Sequence, residues 1–313
     1  MRNYLRYFLF ILFVSSSLFA EAEISPDLQQ KIDEALPTNS PVRAVILLAD
    51  RVDIQALDQQ LYAEQATPQE RAFRVITALK QKAEATQGPL ASYLSSRAAD
   101  EVLEFESLWI TNMFRVVAVP SVLLEISQRS DVDFMDYEHI PRPDETIDEG
   151  PAPENLTNNV EPGLRLVNAH RMWEMGYTGD GSLVMNIDTG VDGNHPALSD
   201  RWRGNHVPAS QAWLGTGSFP IDCGSTGHGT HTMGTITGRE ESTGDTVGVA
   251  PDAEWIAAGG LNCGTSTFAA FQWAMDPDGN PNTVDDMPDV VSNSWGIGSG
   301  GGCRTSWEPT LNA

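Results

Sequence analysis

Three short segments in the second half of the chain constrain its fold more than any other feature. "SLVMNID" (182–188), "AEWIAA" (253–258) and "DVVSNSW" (289–295) are continuous apolar runs, without the alternation of a strand that has one wet face. Such runs fit strands covered on both faces, the condition met in parallel sheets flanked by helices. Helix starts fall between them, near Gly227 and near Thr265. Thr265 is a natural N-cap, and Phe268, Phe271, Ala274 and Met275 trace a helical face beyond it. This β/α alternation, in a Gly-rich context, predicts an α/β fold with a doubly wound parallel sheet over residues 164–313.

The first half reads differently. Residues 24–140 form a small α+β unit: the compact apolar strand "RAVILLAD" (43–50), a helix, strands "EFESLWIT" and "FRVVAVP", a short helix opened by Ser121, and a last strand "VDFMDY". Strand, helix, two strands, helix, strand is the ferredoxin-like order. The long helix begins with Thr67 as N-cap, Pro68 at the first helical position and Glu70 three residues on, a capping box. Residues 141–163 are rich in Pro and acid with almost no large apolar residue, which is linker composition.

At the N-terminus, Arg2 and Arg6 precede an apolar run from Tyr7 to Val14, and Ala20-Glu21-Ala22 fits a small-x-small cleavage site. Residues 1–22 therefore read as a signal peptide, too short to span a bilayer, so the mature form is expected to be secreted or periplasmic with no membrane anchor. The formal charge is −24, from 43 acidic against 19 basic residues, and the last lysine is Lys82. That balance excludes nucleic acid as a partner, because phosphate contacts need Lys and Arg. The cysteines are Cys223, Cys263 and Cys303, an odd count that leaves one free or paired elsewhere.

Two blocks carry chemistry. In "NIDTGVDGNHPAL" (186–198) an apolar strand ends in Asp188, and functional residues of open α/β sheets gather at the carboxyl ends of strands. In "STGHGTHTMGTITG" (225–238) His228 lies between glycines at a helix start, where small residues let the helix approach the strand end. Together these blocks, in this order and about forty residues apart, resemble the subtilisin-like serine proteases. "GVAPDAEWIA" and "PDVVSNSWG" fall where that family has its next two strands, and "WIA", "SNSWG" and "DPDGNP" look most like its bacillopeptidase F branch. The resemblance covers residues 164–313. It implies an Asp-His-Ser triad with Asp188 as the carboxylate and His228 as the base. It further implies protein or peptide substrates bound along Ser294, Trp295 and Gly296, no required cofactor, and an inhibitory, chaperoning propeptide in residues 24–140 that acts as a partner of its own enzyme.

Ser266, in "GTSTFAAF", sits only about forty residues past His228, is followed by Thr-Phe rather than Met-Ala, and precedes the Asn-Ser-Trp-Gly strand. It reads as a helix-start residue. On the resemblance, the nucleophile and the oxyanion asparagine are expected beyond Ala313, so the sequence reads as the N-terminal part of an endopeptidase precursor, inactive alone. A catalytically inactive homologue used for binding is the alternative. A nucleotide-binding Rossmann protein is disfavoured, since no G-x-G-x-x-G follows a strand. For metals, His231 lacks zincin spacing and, by the resemblance, is structural. Ala197 stands where the family often has a calcium-binding Asp. "DPDGNPNTVDD" (276–286) clusters carboxylates and amides as a calcium loop would; its misplaced glycine and missing twelfth-position Glu favour a solvated turn, and calcium stays an optional ligand.

Overall fold

The computed structural model describes residues 21–143, 160–297 and 307–312. The signal-peptide reading (all but its last two residues), the middle of the Pro/acid-rich segment and Cys303 lie outside them.

The first unit runs to Pro143. Its elements are β1 (Glu23–Ile24), α1 (Pro26–Ala35), β2 (Val42–Leu48), α2 (Ile54–Ala63), α3 (Pro68–Thr86), α4 (Gly88–Ser95), β3 (Val102–Leu108), β4 (Met113–Ala118), α5 (Pro120–Ser127) and β5 (Val132–Tyr137). The sheet order is β1-β5-β2-β4-β3, antiparallel except for the short β1–β5 edge. The capping box at Thr67 forms, with Glu70 reaching back to the Thr67 amide at 2.8 Å. Four helix starts differ from expectation, those of α2 and α4 among them, neither of which the sequence pattern marks. Ser25 caps an N-terminal helix that the sequence reading left out, and α5 opens on Pro120 rather than on a Ser121 cap. Proline at the first turn loses no hydrogen bond, because that N–H has no helical partner.

Strand β2 is buried at six of its seven positions. Ala44, Ile46 and Leu48 face a core built with α1, α4 and α5. Val45 and Leu47 face the other way, into a cluster shared with Phe268 and Trp307 of the second unit. Period-2 alternation therefore divides one strand between two cores.

The first unit ends in β6 (Arg142–Pro143), and the second comprises α6 (Pro162–Leu166), α7 (Ala169–Glu174), β7 (Leu183–Ile187), β8 (Trp213–Leu214), α8 (His228–Thr237), the ribbon β9 (Arg239–Glu240) and β10 (Asp245–Thr246), β11 (Glu254–Ala258), α9 (Thr267–Ala274), β12 (Val290–Ser292), β13 (Trp295–Gly296) and α10 (Glu308–Asn312). The main sheet is β12-β7-β11-β8, every pair parallel. All five residues of β7 are buried, as a strand covered on both faces requires. "DVVSNSW" is two elements rather than one: β12 ends at Ser292, and Trp295–Gly296 pairs antiparallel with Arg142–Pro143. The two ends of the Pro/acid-rich segment are thus structured, as β6 at one side and α6 at the other.

Candidate active site

Asp188 is the residue after β7. Its amide donates to the Ala258 carbonyl at 3.1 Å and its carbonyl accepts from Leu261 at 3.0 Å, which locks the backbone at the sheet's carboxyl end. The side chain is fully buried. Oδ1 accepts from the Thr189 amide at 2.7 Å and lies 2.8 Å from Nδ1 of His228; Oδ2 accepts from Thr232 Oγ1 at 3.2 Å. His228 is the first residue of α8 and only 7 % exposed. Thr232 is one turn along the same helix face, which is why it meets the same carboxylate.

Two glycines make the approach. Gly227 precedes the helix with φ +67°, in the left-handed region. At Gly229 a Cβ would stand 2.0 Å from the Gly190 carbonyl oxygen and 3.1 Å from the Asp188 Cβ, so only glycine fits. The expectation of small residues at this crossing holds at atomic level.

Asp222, which the sequence reading did not single out, organises the entrance to α8. Its Oδ2 accepts from the Thr230 amide at 2.8 Å and the Thr230 hydroxyl at 2.6 Å. Its Oδ1 accepts from the Gly224 amide at 2.9 Å and from Thr189 Oγ1 at 2.7 Å. A carboxylate at a helix N-terminus is also favoured by the helix dipole. Thr189 Oγ1 in turn accepts from the Gly229 amide at 3.0 Å. Buried Asn186 donates to the Gly229 carbonyl at 3.0 Å and to Thr232 Oγ1 at 2.8 Å. The loop before α8 is fastened by a Cys223–Cys263 disulfide to the segment after β11. No spacing rule marks these partners; a loop aspartate and two strand-end polar residues carry no pattern of their own.

The other residues singled out in the sequence fall as follows. Ser266, not Thr265, is the N-cap of α9; its Oγ accepts from the Ala269 amide at 3.0 Å and donates to Glu106 of the first unit at 3.3 Å. Trp295 anchors its strand by donating Nε1 to the Ile187 carbonyl at 2.8 Å, one residue before Asp188, with Ser294 preceding and Gly296 following in the pair with β6. His231 is exposed, beside His195 and Asp192 in a surface concavity. Around Ala197, the Arg201 guanidinium donates to the carbonyls of Ala197, Thr237 and Arg239 at 2.6, 3.0 and 3.2 Å. Among the described residues one acidic group is close enough to share a metal ion, Asp276, Asp278 and Asp286. Burial holds the Asp286 carboxyl above its usual range, and the charges of Asp278 and Asp276 push the same way.

Residues 179–313 match the family described as the Subtilase family. Bacillopeptidase F of Bacillus subtilis is 32% identical over 276 residues, 79% of this chain and 18% of that protein. The major intracellular serine protease of the same organism is 30% identical over 147 residues, 44% of this chain and 41% of that protein. Among solved structures, fervidolysin from Fervidobacterium pennivorans matches with TM-score 0.43 and 15% identity, covering 87% of this chain and 38% of that one. The chain therefore spans less than half the length of each of these proteins. By its family match and its similarity to bacillopeptidase F, the chain belongs to the subtilase family.

Proposed function

We propose that this sequence belongs to an exported serine-type endopeptidase precursor in which Asp188 and His228 are the carboxylate and the base of an Asp-His-Ser triad. The observation that carries the reading is the buried 2.8 Å contact between Asp188 Oδ1 and His228 Nδ1 at the carboxyl end of a parallel sheet. A carboxylate on Nδ1 fixes the tautomer with its proton there, leaving Nε2 to accept a serine proton and later return it to the leaving amine. It also stabilises the imidazolium that forms between those steps. Ser266 is not taken as that serine, because its hydroxyl is committed to capping α9.

Protein or peptide substrates would lie along Ser294-Trp295-Gly296 by main-chain pairing, which tolerates many sequences. Arg142–Pro143 pairs with that strand in the antiparallel sense, which supports residues 24–140 as a propeptide whose tail lies in the substrate channel. A disulfide between Cys223 and Cys263 supports an oxidising compartment, hence export.

The test is processing of the product of the complete gene. Asp188→Asn and His228→Ala should each leave the precursor uncut within the linker of residues 141–163 in a protease-free system, and each should lower fluorophosphonate labelling by at least about 10³-fold. Normal self-processing by either variant would refute the assignment, and intact pairing with no hydrolysis by the wild type would favour an inactive binding homologue.

A further inference from the structure

We propose that Asp276, Asp278 and Asp286 form a calcium site at the junction of the two units, with Lys80 of α3 as a competing cation. The ligand oxygens of the three carboxylates lie within 4.8 Å of one another. Two oxygens on opposite sides of one calcium ion, each at about 2.3–2.6 Å, span about that distance. A second observation points to a ligand. Asp286 is 3 % exposed, yet its Oδ1 has no hydrogen-bond partner. Its Oδ2 accepts from the Asp278 amide at 2.9 Å, so the carboxylate is held in place with one oxygen unsatisfied. A buried ionised oxygen without a partner is costly, and coordination to a cation is the ordinary remedy.

The rest of the loop is built to present oxygen. Asp278 is fixed by the Asn280 amide at 2.7 Å on Oδ1 and the Thr283 hydroxyl at 2.8 Å on Oδ2. Asp285 points away, to Arg203 at 3.1 Å, and so does not belong to the cluster. An irregular loop of carboxylates suits calcium, with its variable coordination, better than magnesium, which demands a near-ideal octahedron.

Lys80 gives the site a regulatory side. Its Nζ pairs with Asp276 Oδ2, and Asp276 has only 2 % of its side chain exposed. One ammonium therefore offsets part of the charge of three carboxylates while the first unit is docked. Calcium entering the site meets that ammonium as a like charge, so undocking α3, or neutralising Lys80, should tighten calcium binding.

The experiment uses the 313-residue chain with calcium alone as the ligand, followed by calorimetry and by terbium luminescence sensitised through tryptophan. Trp109 lies beside Lys80, its ring centroid 5.2 Å from Nζ. One ion should bind with Kd of roughly 10⁻⁵–10⁻³ M. Saturating calcium should raise the melting temperature by roughly 5–10 °C. Asp286→Asn should abolish both effects, yet in chelator melt at or above the wild type, because it removes the unpartnered charge. Lys80→Met, which keeps every ligand, should bind calcium at least about tenfold more tightly. Absence of any calcium effect on the wild type, or equal effects on wild type and Asp286→Asn, would overturn the site. An unchanged affinity in Lys80→Met would overturn the competition, and that arm reads out even if Asp286→Asn misfolds.

Discussion

Gly229→Ala is the sharpest perturbation of the candidate site. In an ordinary helix interior this change stabilises by about 1 kcal/mol. Here the added methyl carbon would lie 2.0 Å from the Gly190 carbonyl oxygen. Carbon and oxygen need about 3.3 Å, so the N-terminus of α8 must withdraw from the end of β7 by about 1.3 Å. Gly190 cannot yield instead: it sits at φ +102°, and a Cβ on it would itself be 2.0 Å from the Ile221 carbonyl oxygen. Withdrawal stretches the 2.8 Å His228–Asp188 contact to about 4 Å, past hydrogen-bonding range. Overpacking costs about 1–3 kcal/mol and loss of a hydrogen bond to a charged group about 1.5–3 kcal/mol, so after the propensity gain the variant should lose roughly 1.5–5 kcal/mol. Gly234→Ala in the same helix is the control, since a Cβ there meets nothing within 4 Å, and it should gain about 0.5–1 kcal/mol. Urea unfolding of both variants of the 313-residue chain, followed by tryptophan fluorescence, measures the contrast. If Gly229→Ala unfolds with Gly234→Ala, on the stable side of the wild type, the close approach of helix and strand is not what holds the pair together.

Two further outcomes follow from the same structure. Cys263→Ser opens a loop of 40 residues and should lower stability by about 4 kcal/mol, an effect that reductant reproduces on the wild type and not on the variant; equal midpoints with and without reductant would show that the bridge constrains nothing. A separate fragment of residues 21–143, added to the catalytic unit of the complete gene product, should speed its refolding and inhibit peptide hydrolysis; if neither rate changes, the first unit is an accessory domain and the zymogen reading fails.

The parallel sheet was legible because continuous apolar runs have few other uses, and Asp188 and His228 stood out as candidates only together, through the order and spacing in which their blocks resemble the subtilases. What escaped was decided by tertiary contact. Asp222 stands in "PIDCGSTGHG", where a loop aspartate is unremarkable; only the fold turns it toward Thr230, Thr189 and Gly224. "DVVSNSW" looks like one strand because its apolar run continues, but Trp295 leaves the sheet to pair with a segment 152 residues earlier in the chain. The helices at 54–63 and 88–95 and the Ser25-capped α1 were missed beside the more strongly patterned α3. "RAVILLAD" carries a further signal, six buried positions of seven in β2 without alternation. A strand of an antiparallel sheet with no alternation must be covered on both faces, and its second cover is the other half of the molecule.

That second cover bears on how the two units part. Val45, Leu47, Leu108, Ile110 and Met113 share one buried cluster with Phe268 and Trp307, the last two stacked with ring centroids 4.0 Å apart. Gln272 of α9 accepts from the amides of Trp109 and Ile110 at 2.6 and 3.2 Å, satisfying backbone donors at the end of β3 that would otherwise be stranded in that interface. These contacts are made by residues on either side of the linker at 141–163. Under the proposed function, a cut in that stretch severs the covalent tether and leaves the apolar interface in place, so cleavage alone should yield a non-covalent complex with β6 still paired to β13. Exposing the cluster to water would cost about 25 cal/mol for each Å² of apolar surface released, whereas digestion of the first unit removes the bound form irreversibly. Activation on this reading is therefore a two-step event, in which the first cut severs the tether and digestion of the first unit then frees the site irreversibly.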